Sequence, residues 1–355
     1  MKFIHCSDIH LDSRMEHNLT ASQARERNAE ICATFARMAA FGAQQNVTAV
    51  ILAGDLFDTS LVTERTATFV LDTVRNTPGV DFLYLQGNHD GDAFDGIELP
   101  ENFKTFGRDW TCYTYGNVTV SGLDPERENW ETFYEGLKLP EDSVNIVTLH
   151  GQISTQPGQE QIALPLLKQK NIDYLALGHI HSHQTGRLDD RGTWCYCGCL
   201  EGRGFDECGV KGFVLLDVED RAVKAEFVPF ARRQMVGTEV DISDLTTVTQ
   251  IQQAMEASAR NIPAESLVKF TLTGSYTLET QKDLAFLKKM LEGRFYFHKI
   301  KDESRLKIEK ETYEHDISLK GEFIRLVMAS DKSPEEKEQI ICCGIRALSG
   351  EEVEL

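Results

Sequence analysis

The sequence predicts an α/β fold in which two β-sheets pack face to face with helices on the outside. In the first half of the chain, short apolar runs typical of buried strands alternate with segments of helical spacing. From residue 194 the pattern changes to consecutive strands at Trp194–Cys199, Gly212–Val218 and Val223–Phe230. Strand–helix alternation that gives way to an antiparallel meander indicates a two-sheet sandwich with outer helices.

Each element of this first domain, residues 1–235, follows from a local pattern. Residues 20–42 carry apolar side chains at near-helical spacing and end on a glycine, which predicts a long helix. Thr63–Val74 has the same spacing and ends before Pro78-Gly79. The remaining expected elements are strands at Phe3-Ile4, Val47–Ala53, Val80–Leu85, residues 146–149 and Tyr174–Leu177, and a helix that follows Pro165 and ends near Asn171.

Residues 236–312 have the order strand, helix, strand, helix, strand, which is typical of a small α/β domain. The predicted elements are Gly237–Asp241, Thr247–Arg260, Leu267–Thr273, Leu278–Leu291 and Phe295–Ile300. Within the last region, residues 313–355, a helix is predicted at Leu319–Ala329 and another begins at Ser333-Pro334. Because two short helices cannot bury their apolar faces alone, we expect a partner surface to cover them. The apolar residues of the second helix are Ile340, Ile341 and Ile345.

The composition limits the partners and the compartment. The 355 residues include 56 acidic and 37 basic side chains, for a formal net charge of −19. Binding to a phosphate backbone depends on Lys and Arg, so DNA binding would need a basic partner or a local basic patch. No apolar stretch approaches the roughly 18 residues that span a bilayer. Nine cysteines and an opening without a signal-peptide pattern predict reduced thiols in the cytoplasm.

One basic patch is present. Residues 281–310 hold nine Lys or Arg residues against five acids, with Phe295-Tyr296-Phe297 among them. The candidate contacts for DNA phosphates are Lys288, Lys289, Arg294 and Lys299. A solvated helix and strand face would explain the same pattern.

A cysteine cluster, Cys195, Cys197 and Cys199 with Cys208 downstream, allows two interpretations. The Cys-x-Cys-x-Cys spacing differs from the Cys-x-x-Cys of structural zinc sites. It places the first three side chains on one face of a strand. A packed strand is therefore predicted, with zinc binding or redox chemistry as the alternatives.

Five polar stretches, each placed directly after an apolar run, carry the functional signal. Polar groups just beyond the carboxyl ends of α/β strands lie where open sheets bind ligands. Together these stretches offer the mixed oxygen and nitrogen ligands that a pair of divalent transition ions requires, which indicates a two-metal phosphoesterase. They are Asp8-Ile9-His10, Gly54-Asp55-Leu56-Phe57-Asp58, Gly87-Asn88-His89-Asp90, His150-Gly151 and Gly178-His179-Ile180-His181.

The chemistry of phosphodiester hydrolysis suggests a role for each group. Two cations a few ångströms apart neutralise the anionic oxygens and generate a hydroxide between them near neutral pH. Asp55 is predicted to bridge the cations. His89 is predicted to contact the scissile phosphate and protonate the leaving oxygen, with Asp90 orienting its imidazole. One ion is assigned Asp8, His10 and His181, and the other Asn88, His150 and His179.

The order of these motifs resembles the calcineurin-like metallophosphoesterase superfamily. Within it, residues 4–12 and 319–327 are similar to the SbcD-type DNA repair exonucleases, particularly the YhaO-like branch. The motifs that carry the resemblance lie within residues 1–235. The resemblance implies a four-layer αββα sandwich, a centre of two divalent ions (manganese), and 3′-to-5′ exonuclease with single-strand endonuclease activity.

The same resemblance implies roles for the rest of the chain. Residues 236–312 would be a small α/β capping domain that helps to hold DNA. Residues 313–355 would be C-terminal helices that dock on an SMC-like coiled-coil ATPase of the SbcC/YhaN type. The expected partners are DNA, that ATPase and a second copy of the chain in a homodimer, with no membrane. Asp58 stands where some family nucleases carry a histidine, so a contact to the substrate phosphate is missing or replaced here.

Three other functions share part of this signal. A phosphoprotein phosphatase has an arginine directly after the aspartate that Asp58 matches, whereas Thr59-Ser60 follow here. A cyclic-nucleotide or other small-molecule phosphodiesterase has every motif, but such enzymes usually end near the sandwich, and 120 residues continue here after residue 235. An inactive scaffold for an ATPase would not need all seven ligands and His89. The small-molecule phosphodiesterase is therefore the alternative that stays open.

Overall fold

The structure, a computed structural model, describes residues 1–15, 19–58, 62–91, 93–124, 132–308 and 310–348. The chain divides into two compact units, Met1–Met235 and Val236–Leu355. Thr59-Ser60 and the end of the chain beyond residue 348, both used in the sequence analysis, lie outside the described residues. Within the described part, none of the helices combines the length and the apolar character that a bilayer crossing needs.

The first unit is built from two six-stranded sheets and the helices around them. In chain order its elements are β1 (Lys2–Cys6), α1 (Ala21–Gln44), β2 (Val47–Ala53), α2 (Glu64–Arg75), β3 (Asp81–Leu85), β4 (Phe103–Thr105), β5 (Thr111–Tyr115), β6 (Val118–Gly122), α3 (Phe133–Gly136), β7 (Val144–His150), β8 (Gln152–Ser154), β9 (Gln161–Ala163), α4 (Leu164–Leu167), β10 (Tyr174–Gly178), β11 (Gln184–Arg187), β12 (Thr193–Tyr196), β13 (Gly212–Glu219) and β14 (Ala222–Pro229).

The sheet topology places the functional turns together. The first sheet has the order β14-β13-β1-β2-β3-β4, and the second has the order β11-β12-β10-β7-β6-β5. Strands β1 to β4 pair in parallel, and so do β6, β7, β10 and β12. The strands β5, β11, β13 and β14 pair antiparallel with their neighbours. The carboxyl ends of β1, β2 and β3 therefore share one edge of the first sheet, and those of β7 and β10 share one edge of the second.

Alternating apolar residues produce the layers. Phe3 of β1 and Ile146 of β7 belong to a buried cluster that draws on both sheets. Their neighbours point the opposite way, as strand geometry requires. Ile4 lies in a cluster with residues of α1 and α2, and Val147 lies in one with residues of α3 and α4. The predicted αββα sandwich is confirmed.

Two predictions about this unit are wrong in detail. Strand β12 pairs with β10 in the second sheet, whereas β13 and β14 lie in the first, so these strands are not one meander. The helix after Pro165 ends at Leu167 and does not reach Asn171. Gln169 and Asn171 have φ angles of 60° and 63°, a left-handed conformation that stops a right-handed helix.

The second unit has a small α/β core and terminal helices. The three-stranded sheet has the order β15-β16-β18, and α5 and α6 contribute to the apolar cluster on one of its faces. The predicted helix at Leu278–Leu291 is shorter than expected, because Asp283 caps its first turn. The elements are β15 (Met235–Asp241), α5 (Val248–Ser258), β16 (Leu267–Thr273), β17 (Ser275–Tyr276), α6 (Leu284–Met290), β18 (Phe297–Asp302), β19 (Arg305–Leu306), α7 (Lys310–Glu314), α8 (Leu319–Ala329) and α9 (Pro334–Leu348).

The terminal helices bury only part of their apolar surface. Ile324 of α8 and Ile341 of α9 are buried in a cluster with Tyr313. Leu319 and Leu326 of α8, however, are each 67% exposed. The further boundary at residue 312 and the docking role of this region stay predictions.

Candidate metal centre

The predicted ligands lie on turns whose backbones hold one another in unusual conformations. Asp8, His10 and Asp55 have φ angles of 51°, 51° and 52°, and His179 has a φ of 101°. Non-glycine residues rarely adopt such angles unless the surroundings fix them. The N–H of Asp8 donates to the carbonyl of Gly54 at 3.0 Å, and the N–H of His10 donates to the carbonyl of Asp55 at 3.1 Å. The turns after β1 and β2 therefore fix each other.

Glycines allow these turns to approach. A Cβ atom at Gly87 would lie 2.2 Å from Oδ1 of Asp55, and one at Gly178 would lie 1.9 Å from the carbonyl oxygen of Ala53. Any side chain at these two positions would push the turns of β2, β3 and β10 apart.

One cluster is formed by Asp8, His10 and His181, whose ligand-capable atoms all lie within 4.8 Å of one another. The two Nε2 atoms of His10 and His181 are 3.1 Å apart, and Nε2 of His181 is 3.7 Å from Oδ1 of Asp8. Asp8 and His10 are buried. Two imidazole nitrogens and a carboxylate that converge in this way suit a divalent ion.

A second cluster is formed by Asp8, Asp55 and His150, again within 4.8 Å. Nε2 of His150 lies 3.0 Å from Oδ1 of Asn88 and 3.3 Å from Oδ2 of Asp55. The same Asp55 oxygen is 3.9 Å from Nε2 of His10, so this carboxylate of the second cluster also lies beside the first. Its position suits the predicted bridging role.

His179 is placed near the clusters by a ring contact and by a hydrogen bond of its backbone. Its ring packs edge-on against that of His150, with 5.3 Å between the centroids. Its backbone N–H donates to Oδ1 of Asp8 at 2.9 Å. The fold thus brings all seven predicted ligands into one region, and their donor set fits a pair of divalent cations. Their assignment as ligands stays a prediction.

The charges in the cluster are coupled. Burial would raise the pKa of Asp55, but the hydrogen bond and charge of His150 outweigh it and hold this pKa well below its usual range. Burial would lower the pKa of His150, but Asp55 raises it to about 9. Burial lowers the pKa of His10. His150 therefore holds a proton that a bound cation would displace.

The outward-facing nitrogens of three histidines have fixed partners. Nδ1 of His181 lies 2.7 Å from Oε1 of Glu207, and Nδ1 of His10 lies 3.1 Å from Oδ1 of Asp58. Nδ1 of His150 lies 2.9 Å from the carbonyl oxygen of Ala53. The hydrogen-bonding partners of His181 and His150 fix the orientation of these rings and direct Nε2 toward the clusters. The contact of His10 with Asp58 is a close approach without hydrogen-bond geometry.

Glu207 was missed by the sequence analysis. A signal for it exists: the apolar run that ends at Leu200 is followed by Glu201-Gly202-Arg203-Gly204, the same arrangement of polar residues and glycine after a strand. The sequence analysis considered only the neighbouring cysteines, as a packed strand or as a zinc or redox site.

The carboxylate of Asp90 holds the backbone of the turn after β3. Its carboxylate accepts hydrogen bonds from the backbone N–H groups of Gly87 at 2.7 Å and Phe57 at 2.8 Å. The side chain is fully buried, and burial raises its pKa to about 7 against the opposing effect of those two donors. Asp90 therefore fixes the turn that carries Asn88 and His89 through backbone contacts. Its predicted role in orienting the His89 imidazole stays a prediction.

Asp58 is the carboxylate beside His89. The ligand-capable atoms of His10, Asp58 and His89 lie within 4.8 Å of one another, and His89 is exposed. Asp58 also forms an ion pair with Arg203. This pairing gives Asp58 a supporting position beside His10 and His89, and its relation to the substrate phosphate stays a prediction.

The cysteines pack as a buried strand end. Cys195 and Cys197 lie in the cluster between the sheets, and Cys199 is fully buried. Burial raises the pKa of the Cys195 thiol to about 11. Among the described residues, no cysteine belongs to a group that could hold a metal ion.

The four predicted DNA contacts lie in the second unit, and all are exposed. Lys288 and Lys289 are in the last turn of α6, and Lys299 is on β18. The guanidinium of Arg294 lies 4.8 Å from the centroid of the Phe295 ring. The parallel register of β16 and β18 places Lys269 beside Lys299, which extends the positive surface.

Comparison with known proteins gives a consistent result. A family model described as calcineurin-like phosphoesterase matches residues 1–183. The uncharacterized metallophosphoesterase YhaO of Bacillus subtilis is 26% identical over 278 residues, which cover 72% of this chain and 67% of that protein. The DNA double-strand break repair protein Mre11 of Haloferax volcanii is 27% identical over 71% of this chain and 57% of its own length. Mre11 of Saccharolobus solfataricus is 23% identical over 99% of this chain and 96% of its own length.

Proposed function

The chain belongs to the calcineurin-like phosphoesterase family, and we propose that it is a two-metal phosphodiesterase that cleaves DNA. The observation that carries the proposal is the convergence of two groups of ligand-capable side chains that share Asp8, with Asp55 of one group close to His10 of the other. The similarity to proteins named for DNA double-strand break repair supports DNA as the substrate.

The ligand-capable residues would divide between two ions, and manganese suits their mixed oxygen and nitrogen donors. Asp55 would contact both ions. When bound, such ions neutralise the charge of a phosphodiester and supply a nucleophile at neutral pH. Asp8, His10 and His181 would hold one ion, and Asn88, His150 and His179 the other.

His89 would act on the leaving group. Its imidazole is exposed, close to His10 and Asp58 at the open side of the clusters. An imidazole there can donate a proton to the leaving oxygen, and Asp58 would keep the ring oriented for that transfer. Asp90 contributes indirectly, since it fixes the turn that presents His89.

The main test is a nuclease assay with purified full-length protein and Mn²⁺. We expect duplex DNA to be shortened from its ends in a metal-dependent reaction. His89→Ala should retain both ions and lose most of the turnover, since His89 is not assigned as a ligand. His183→Ala is the matched control, because His183 stacks on Phe227 and lies outside the metal-capable groups.

Two outcomes would contradict parts of the proposal. Hydrolysis of small phosphodiesters without any shortening of DNA, even with an ATPase partner, would favour the alternative of a cyclic-nucleotide or other small-molecule phosphodiesterase. Loss of metal from the His89→Ala protein would make His89 a ligand.

We further propose that residues 313–355 dock on an SMC-like coiled-coil ATPase. The exposed leucines of α8, Leu319 and Leu326, support this proposal because a helical partner could cover them. Leu319→Glu with Leu326→Glu should abolish co-purification with that ATPase and leave metal content unchanged. Glu322→Gln, an exposed change on the same helix, is the control. Unchanged co-purification of the double variant would refute the docking surface.

A further inference from the structure

One arginine joins the two carboxylates that support the histidines of the first ion. Arg203 forms an ion pair through Nη1 with Asp58. Its Nη2 donates to Oε1 of Glu207 at 2.8 Å, and its backbone N–H donates to Oε2 of Glu207 at 2.7 Å. Asp58 and Glu207 in turn contact Nδ1 of His10 and of His181. A single guanidinium thus fixes both outer partners.

The loop that carries Arg203 also holds the main chain of His181. The carbonyl oxygen of His181 accepts from the N–H of Cys199 at 3.3 Å and from Nζ of Lys211 at 2.6 Å. Lys211 is buried. Cys199 and Lys211, on either side of the loop, and Glu207 within it therefore all contact His181.

The loop is anchored to helix α1. Arg27 donates to Oε2 of Glu201 at 3.1 Å and to the carbonyl oxygen of Gly202 at 2.9 Å. The hydroxyl of Thr34 donates to the other Glu201 oxygen at 2.8 Å. Arg27 and Glu201 are both buried, so the residue just before Arg203 has a rigid support.

The arrangement is asymmetric between the two proposed ions. His10 and His181, assigned to the first ion, have carboxylates at Nδ1 that Arg203 holds in place. At Nδ1 of His150, assigned to the second ion, the described part of the chain places a backbone carbonyl instead. A carboxylate partner fixes the ring and increases the basicity of the coordinating nitrogen.

We infer that Arg203 is a positioning residue that sets the affinity of the ion held by Asp8, His10 and His181. The inference rests on the proposed two-metal site. The planar guanidinium presents several donors in a fixed fork, so it can hold Asp58 and Glu207 at once. Its charge also pairs with both carboxylates at the positions where they contact the imidazoles.

The test uses Arg203→Lys, which keeps the positive charge and removes the fork. Metal-free full-length protein is titrated with Mn²⁺ by calorimetry. We expect the wild type to bind two ions and the variant to bind one of them about 10- to 100-fold more weakly, the range for loss of an outer-shell partner. The affinity for the other ion should not change.

A spectroscopic readout separates positioning from general destabilisation. At a Mn²⁺ concentration that fills only the tighter site of the variant, its electron paramagnetic resonance spectrum should show an isolated ion. The wild type should show a spin-coupled pair. Glu207→Gln should lower the affinity for the same ion. The double variant Arg203→Lys with Glu207→Gln should lower it little further, because both residues act through one network.

Arg191→Lys is the matched control. Arg191 contacts both carboxylate oxygens of Asp173 at 2.9 Å in an equally bidentate pair, outside the metal-capable groups. This variant should bind both ions as the wild type does. If Arg203→Lys also binds both ions normally, or weakens both equally, the inference is overturned. A wild type that binds no ion pair would instead refute the proposed function itself.

Discussion

At the scale of single residues, charge coupling inside the clusters matters most. In the metal-free protein His150 holds a proton and Asp55 is ionised, because burial penalises either charge unless the other neutralises it. His150 has a pKa raised from 6.5 to about 9, so the pair stabilises the fold fully below pH 6.5. That contribution is lost as the pH rises through about 9.

The pair therefore predicts a pH-dependent stability in the absence of metal. The melting temperature of the metal-free wild type should fall between about pH 7 and pH 9.5. Asp55→Asn removes the charge that raises the pKa of His150, so its melting temperature should depend less on pH. Differential scanning calorimetry of both proteins across this range is the measurement. Parallel curves would show that the pair does not form.

The structural role of Asp90 gives a second prediction at this scale. Asp90→Ala would leave the part-buried N–H of Gly87 and the buried N–H of Phe57 without their acceptors, at a cost of about 2–5 kcal/mol in the free energy of unfolding. His89→Ala should change this free energy little, because the side chain is exposed. Urea unfolding of the two variants tests the difference. Equal stabilities would contradict the structural role of Asp90.

At the scale of elements, the strand ends were predictable and the contacts of the supporting loop were not. The apolar runs before Asp8, Asp55, Asn88, His150 and His179 are visible in the sequence, and parallel pairing brings their ends together. The polar residues Glu201–Gly204 after an apolar run mark this loop in the sequence. Its contacts with His181 and Asp58, 26 and 145 positions away, are tertiary and are not visible in a local pattern. The split of β12 from β13 has the same origin, because strand pairing is not visible in an apolar run.

The anchor of that loop can be tested through α1. Arg27→Met would leave Glu201 and Glu30 as buried carboxylates without this cation, and we expect a loss of about 3–5 kcal/mol in the free energy of unfolding. Arg75→Met removes the exposed pair with Asp72 and should cost at most about 1 kcal/mol. Chemical denaturation measures both. An Arg27→Met protein as stable as the Arg75→Met protein would contradict the anchoring role.

At the scale of the whole molecule, the negative net charge opposes DNA binding, so a local group of basic residues would have to bind the DNA. The net charge of −19 repels DNA, whereas the exposed cations on α6 and β18 are concentrated in the second unit. The sequence predicted this patch and the two-sheet architecture. It could not determine the pairing that places Lys269 beside Lys299, because register is set by the folded sheet.

The patch predicts a selective effect of charge reversal. Lys288→Glu with Lys289→Glu should weaken duplex binding and DNA cleavage and reduce the salt dependence of binding, since fewer counterions are released. Hydrolysis of a small chromogenic phosphodiester should be unchanged. Lys168→Glu with Lys224→Glu, exposed cations of the first unit, is the control and should leave DNA binding near the wild-type level. Equal effects of the two pairs on DNA would refute the patch.

The most direct measurement is an anomalous-difference map from crystals of the full-length protein soaked in Mn²⁺. We expect two peaks about 3.5–4 Å apart on either side of the Asp55 carboxylate. One should lie beside Asp8, His10 and His181, and the other beside Asn88, His150 and His179. A single peak, or peaks away from Asp55, would contradict a two-cation centre.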